Sequence, residues 1–111
     1  MSGDWAHTYE YLDSRGAPYG IAAEDLVAKT PAIIQHDPNA VISFWQQKDI
    51  SHIIPTSQHP ELADSVANWL PEDPLPNHTR QDHVMTAHEQ ANAYFDNAHD
   101  AQLIQQHLHL G

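Results

Sequence analysis

The sequence predicts an α+β, mostly helical fold in which a small β-hairpin leads into a helix, with helices before this unit and a C-terminal helix after it. Residues 49–55 are rich in isoleucine and end at a proline, as a short strand does. Residues 68–70 can form the returning strand. Residues 87–108 carry apolar side chains at helical spacing, which predicts a long final helix.

The segment before the hairpin predicts helices rather than strands. Residues 1–20 carry four aromatic side chains and end in a turn-rich run, so we expect an irregular or short helical arm. Thr30 before Pro31 has the form of an N-cap followed by a proline in the first helical position. Asn39 can cap a further helix in the same way. Short helices are therefore predicted over residues 22–29, 31–36 and 40–47.

The segment after the first strand predicts one helical turn at residues 59–61 and then the returning strand. The prolines within residues 71–76 predict that no regular helix forms before Asn77. The final helix begins near residue 78 or at Thr86, which forms a capping-box pattern with Glu89. We expect residues 1–111 to form a single domain, with a helical part at 1–47, a hairpin-helix core at 48–98 and the end of the last helix at 99–111.

Composition restricts the chemistry that the chain can carry. The sequence contains no cysteine, which excludes disulfides, thiolate catalysis and cysteine-based zinc fingers. Any metal must therefore bind histidine nitrogens or oxygen ligands. The N-terminus lacks the pattern of a secretory signal, and no stretch is long and apolar enough for a membrane span. We expect a cytoplasmic protein without a membrane partner, of bacterial, phage or mobile-element origin.

The charge balance is unusual for a protein that binds nucleic acid. Fifteen acidic residues face four lysines and arginines, and the formal net charge is −11. Phosphate binding usually requires a basic surface, so charge alone indicates an acidic surface that avoids nucleic acid. Ten histidines change this balance at mild acidity, because histidine ordinarily has a pKa near 6.5.

The hairpin region carries a recognisable pattern of polar residues. Asp49 opens the first strand, and His52 begins the run His-Ile-Ile-Pro. Asn68 opens the predicted returning strand, Asn77 follows nine positions later, and Arg80 lies three residues beyond it. This pattern resembles the signature of the HNH endonucleases (the ββα-metal or His-Me finger family), most closely in CRISPR effector nucleases and phage junction-resolving enzymes.

The resemblance implies a ββα-metal unit that hydrolyses phosphodiester bonds in nucleic acid, with DNA preferred over RNA. By the resemblance, His52 is the general base that activates water, and Asn77 helps to hold a divalent metal. Asn68 bonds to backbone across the hairpin loop, and Arg80 contacts the phosphate. Mg²⁺ is the expected metal because the donors are oxygens, and Mn²⁺ or Ni²⁺ are alternatives.

One position departs from the family pattern. The residue before the base histidine is usually an Asp or His metal ligand, and here it is Ser51, a weak neutral ligand. Asp49 lies on the same strand face and can reach the ion directly or through water. Alternatively, Asn77 serves as the only protein ligand and waters complete the shell. If neither arrangement holds, the motif is catalytically silent.

These alternatives predict different functions. The first is a metal-dependent endonuclease, and the chain is then an enzyme. The second is a silent HNH-like acidic protein that mimics DNA and regulates a nucleic-acid-binding partner. A third is a helical interaction module whose histidines respond to pH. Because only four residues are basic, we also expect a homodimer or a basic protein partner to supply positive charge.

Overall fold

The computed structural model describes residues 3–110, and it begins with a regular helix of 14 residues where the sequence predicted an irregular or short helical arm. Helix α1 spans Gly3–Gly16 and is followed by a 3₁₀ turn at Ala17–Tyr19. Trp5 and Tyr9, one turn apart, stack with ring centroids 5.8 Å apart and pack against the core that contains fully buried Leu12. The aromatic side chains therefore form one face of a helix, because that face is covered by the rest of the protein.

Helix α2 spans Ala23–Lys29, which confirms the prediction, but the helix predicted over residues 31–36 is wrong. That segment forms only turns, with bonds such as Ile34 N–H to the Pro31 carbonyl. Thr30 is not a cap for it. Its hydroxyl donates to the Leu26 carbonyl at 2.9 Å and accepts from the Trp45 indole at 3.0 Å, so it closes α2 instead.

Helix α3 spans Pro38–Gln46, and its cap differs from the predicted one. The Asp37 carboxylate, rather than Asn39, accepts hydrogen bonds from the first amides of the helix, and Pro38 occupies the first helical position. Asp37–Pro38 thus starts α3, because a proline in the first turn of a helix removes no intrahelical hydrogen bond. The buried face of the helix carries Phe44 and Trp45 into the main core.

The two strands form an antiparallel hairpin. Strand β1 spans Asp49–His52 and strand β2 spans Trp69–Glu72, with Asp49 opposite Glu72 and His52 opposite Trp69. The long loop between them holds two 3₁₀ turns, at Pro60–Leu62 and Val66–Asn68. Both predicted strands are therefore confirmed, although the first ends before Pro55.

Helix α4 spans Pro74–Arg80, so the prediction that prolines exclude helix before Asn77 is wrong. Pro74 and Pro76 lie in the first turn of α4, where a residue needs no N–H for an intrahelical hydrogen bond. Helix α5 spans Ala87–Leu110 and begins with the predicted capping box. Glu89 accepts from the Thr86 amide at 2.9 Å, and the Thr86 hydroxyl accepts from the Glu89 amide at 3.1 Å.

A buried lysine connects the hairpin to the last helix. The side chain of Lys48 is fully buried, and its ammonium group lies 2.6 Å from carboxylates of both Asp73 and Asp100. The main core lies between α1, α2, α3, α5 and the hairpin, and a smaller cluster of Leu70, Met85 and Ala93 lies on the other side of β2. The fold is α+β and mostly helical, as predicted. Within the described residues no helix is both long and apolar enough to cross a bilayer.

Candidate functional site

Asn68 fixes the hairpin loop to the end of β1. Its side-chain oxygen accepts from the Ile54 amide at 2.9 Å, and its nitrogen donates to the Ile54 carbonyl at 3.1 Å. Its own backbone carbonyl accepts from the Ile53 amide at 2.7 Å. The side chain is 6% exposed, so these bonds form away from competing water. Asn68 therefore occupies the cross-loop position that the sequence pattern predicted.

His52 is held in one tautomer by the same loop. Its Nε2 lies 2.9 Å from the backbone carbonyl of Ala63. A carbonyl can only accept, so Nε2 must carry the proton, and in the neutral ring the lone pair is on Nδ1. The structure records no partner for Nδ1 within residues 3–110. The half-buried ring is therefore oriented, with one nitrogen available for chemistry.

Tyr19 supports the imidazole ring, which sequence reasoning did not predict. Its ring centroid lies 4.7 Å from that of His52. The turn that delivers Tyr19 depends on glycine, since a Cβ at Gly16 would collide with the Ile21 carbonyl and Gly20 has a φ of 75°. The glycines on both sides of Ala-Pro-Tyr were the available signal, but they indicated only a turn.

Asn77 contacts two polar residues of β1 from α4. Its amide nitrogen donates to Asp49 Oδ2 at 3.0 Å, and its Oδ1 lies 2.9 Å from the Ser51 hydroxyl. His78, the next residue, places Nε2 3.2 Å from the same Asp49 oxygen. One carboxylate, one amide and one imidazole thus converge at the mouth of the hairpin.

Ser51 lies in a second, closed network, which we call the Arg80 cluster: Ser51, Glu72, Arg80 and Glu89. The Ser51 hydroxyl is fully buried and accepts from Arg80 at 2.7 Å. Its single hydrogen lies within reach of Glu72 at 2.7 Å and of Asn77 at 2.9 Å. A cation at this oxygen would face the guanidinium directly, so the geometry assigns Ser51 to packing rather than to metal binding.

Arg80 is predicted to contact phosphate, but its guanidinium is engaged inside the protein. Both terminal nitrogens bond to the Glu72 carboxylate, and one also lies 3.3 Å from Glu89. The Arg80 side chain is only 4% exposed. The hydrogen bond and charge of Glu72 raise the pKa of Arg80 above its ordinary value. Glu72, the last residue of β2, is the buried partner of this arginine.

Two neighbouring cavities are lined by His52, Asp49 and Asn77, three of the residues that the sequence predicted for the site. The first, which we call the His52 cavity, has a volume of about 180 Å³ and is lined by His52, Asn77, Tyr19 and Gln81 among others. The second, of about 430 Å³, is lined by Asp49 and His78 and shares Tyr19, Ile50 and Asn77 with the first. His52 and the Asp49–Asn77 pair therefore open onto adjoining space.

The oxygen donors that a hydrated divalent cation could use here are those of Asp49 and Asn77, and Asn77 turns its amide nitrogen to Asp49 and its Oδ1 to Ser51. Asp49 and Asn77 supply oxygens, and the Asp49 side chain is 31% exposed. Mg²⁺ commonly keeps several waters and takes only one or two protein oxygens. Within residues 3–110 no three or more His, Asp or Glu side chains form a cage for a metal ion. A tightly bound structural ion is therefore not what these residues suit.

All four lysines and arginines of the chain lie within the described residues, and each is engaged internally. Arg15 donates to the carbonyls of Trp45 and Lys48, and Lys29 donates to the Trp69 carbonyl at 2.7 Å. Burial lowers the pKa of Lys29. Lys48 and Arg80 are buried in ion pairs. Arg15 and Lys29, by contrast, bond to uncharged groups at half-buried positions, and Arg15 also lines the cavity beside Asp49 and His78.

Comparison with family models, curated proteins and solved structures found no significant match to this chain.

Proposed function

We propose that the chain is a metal-dependent endonuclease of the HNH type that hydrolyses phosphodiester bonds in DNA. The proposal rests on the hydrogen bonding of His52 and on the cavity that its ring lines. Its Nε2 is bonded to a backbone carbonyl, its Nδ1 has no partner in the described part of the chain, and its ring lines the same cavity as Asn77. A neutral imidazole with one available nitrogen suits a general base, and the cavity offers space for the water it deprotonates.

In the proposed reaction, Nδ1 of His52 takes a proton from the water that attacks phosphorus, the bond from phosphorus to the leaving sugar oxygen breaks, and that oxygen takes a proton from solvent water. The imidazolium that forms keeps its Nε2 bond to the Ala63 carbonyl, which becomes charge-assisted and stronger. Asn68 keeps the end of β1 from moving as this charge develops. Tyr19 covers one face of the ring and limits its rotation.

A bound divalent cation, with Mg²⁺ the first candidate and Mn²⁺ or Ni²⁺ the alternatives, would stabilise the negative charge that develops on the phosphate. Asp49 would hold it through its carboxylate, with His78 adjacent, and Asn77 would offer its Oδ1 once its amide, which now donates to Asp49, turns over. Ser51 and Arg80 would contribute indirectly, because Ser51 bonds to Asn77 and Arg80 holds Ser51 in place.

Nicking of supercoiled plasmid tests the proposal with each of the three metals in turn. His52→Ala should lower the rate at least about 100-fold, the usual contribution of a general base. His7→Ala is the matched control, because His7 is an exposed histidine on α1, away from the hairpin. Equal cleavage by wild type and His52→Ala, or no cleavage with any of the metals, would contradict nuclease activity.

A second function, an acidic protein that occupies a basic nucleic-acid-binding partner, is favoured by one observation. Every lysine and arginine is engaged within the fold, whereas the formal charge is −11. Such a protein would bind a basic partner with an affinity that falls steeply as salt rises. Salt-sensitive binding to a DNA-binding protein, competed by DNA and unaltered by His52→Ala, would support this function over the nuclease.

A further inference from the structure

The outer side of α5 exposes two aromatic residues to solvent. Phe95 is 79% exposed and Tyr94 is 57% exposed. The helix contacts the body of the protein through one narrow line of residues that includes Ala93, Asn97 and Ala101. Beside this line runs an exposed band without acidic residues, flanked by His88 and His99, which we call the α5 outer face and which consists of Ala87, Ala91, Tyr94, Phe95, Ala98 and Gln102.

The α5 outer face is uncharged, although the protein is strongly acidic. The three carboxylates in the helix, Glu89, Asp96 and Asp100, follow one another at helical spacing on another side. Glu89 contacts Arg80 and Asp100 contacts Lys48, so this side is turned toward the body of the protein. In a chain with fifteen acidic residues, a helix face without any is suited to a neutral partner rather than a basic one.

We propose that the α5 outer face binds a second copy of this chain through an antiparallel pairing of the two α5 helices. Each copy has a formal charge of −11, so two copies can approach closely only across a surface free of carboxylates. The face is also complementary to itself in size. Tyr94 and Phe95 of one helix can lie over the small side chains of Ala91 and Ala98 of the other, as a two-fold contact requires.

The size of the face sets the strength of the association. A helix of 24 residues is about 36 Å long, and one face of it offers on the order of 500 Å² per copy, below the roughly 800 Å² of a standard interface. The dimer should therefore dissociate in the micromolar range. Because both copies are acidic, added salt should strengthen it by screening their repulsion, whereas a contact built on ion pairs would weaken.

Sedimentation equilibrium of the full chain tests the proposal, from about 1 µM to about 500 µM, a range that brackets a micromolar Kd. The measurement is made at low and at high salt. We expect a monomer–dimer equilibrium that shifts toward dimer at high salt. Phe95→Glu should weaken the dimer at least tenfold, since it places a carboxylate on each side of the contact. Circular dichroism checks that this variant, altered at a 79% exposed position, keeps its helices.

Leu75→Glu is the matched control. Leu75 is 78% exposed on α4, outside the α5 outer face, so the variant adds the same charge and removes the same kind of side chain elsewhere. It should dimerise nearly as well as the wild type. A monomer at every concentration, a dimer weakened equally by both substitutions, or a dimer that weakens as salt rises would each overturn the proposal. None of these readouts depends on nuclease activity.

Discussion

Two polar regions lie on one hairpin and are built in opposite ways. In the Arg80 cluster, the guanidinium is buried and bonded to Glu72, Glu89 and Ser51. In the His52 cavity, the titratable ring has only one bonded nitrogen and adjoins open space. In the Arg80 cluster the charged groups bond to one another and hold α4 against the strands. In the His52 cavity the imidazole ring is oriented by one bond and has a second nitrogen available, as a reactive group requires.

The difference explains why residue types alone were a poor guide to roles. Arg80 and Ser51 have the chemistry to bind phosphate and metal, but buried partners already satisfy them. A buried ion pair loses far more when one partner is removed than it gains by forming, so such residues are fixed in place. The residues still available to a ligand are those whose bonds go to backbone carbonyls or to half-exposed side chains.

The largest effect should come from breaking the Arg80 cluster. Glu72→Ala leaves the buried Arg80 guanidinium with one carboxylate, the partly exposed Glu89 at 3.3 Å, and we expect a loss of about 3–5 kcal/mol in the free energy of unfolding. Urea denaturation measures it. Glu61→Ala, at an exposed position, should change stability little. A loss below about 1 kcal/mol for Glu72→Ala would mean that the cluster is not structural.

Removing Asn68 should have the next largest effect. Asn68→Ala leaves the amide and carbonyl of Ile54 without their partners, at about 1–3 kcal/mol for each group that stays buried. Hydrogen exchange at the Ile54 amide should accelerate, and the NMR signals of the His52 ring should report loss of a single tautomer. Asn39→Ala, at an exposed position on α3, serves as the control. Unchanged exchange at Ile54 would contradict the role given to Asn68.

A strained residue lies between the two regions and predicts a gain in stability. Gln81 follows Arg80, lines the His52 cavity and has a φ of 55° with a ψ of −125°. L-residues rarely adopt this conformation, whereas glycine adopts it at low cost. Gln81→Gly should therefore stabilise the protein by about 1 kcal/mol, measured as a rise in Tm. A fall in Tm would show that the glutamine side chain makes contacts worth more than the strain.

The smallest effect should be the pH dependence contributed by Glu89. Its pKa is lowered by the hydrogen bond from the Thr86 amide and then by Arg80. A carboxyl with a lowered pKa in the folded state adds stability above its ordinary value near 4.5, and loses it as the pH falls through the folded value. Glu89→Gln should thus cost under about 1 kcal/mol near neutrality and nothing in strong acid. An equal cost at both pH values would exclude the charge as the cause.

The sequence predicted the local elements whose signals lie within a few residues. The strands, α2 and the capping box of α5 were all predictable in this way. The cross-loop bonds of Asn68 were expected only from the family resemblance. The roles of His52 and Asn77 in catalysis remain predictions, because they depend on chemistry that a fold alone does not test.

The elements that were missed depend on contacts between distant parts of the chain. Tyr19 reaches His52 across 33 positions, and Glu72 meets Arg80 only after α4 turns back on β2. Helix α1, for which the sequence predicted an irregular or short helical arm, packs its aromatic residues against the core. Prolines delayed the predicted starts of α3 and α4, because the effect of a proline depends on whether it stands in the first turn or later.

The internal use of all four basic side chains separates the charge of the surface from the stability of the fold. Several exposed carboxylates make no recorded internal bond, among them Glu10, Asp13, Glu24, Asp64 and Asp96. Exchanging these five for lysine would bring the formal charge of −11 close to neutrality and leave every buried ion pair intact. The affinity of the protein for polyanions could then be changed through its surface charge alone, while the buried ion pairs and the core keep their contacts.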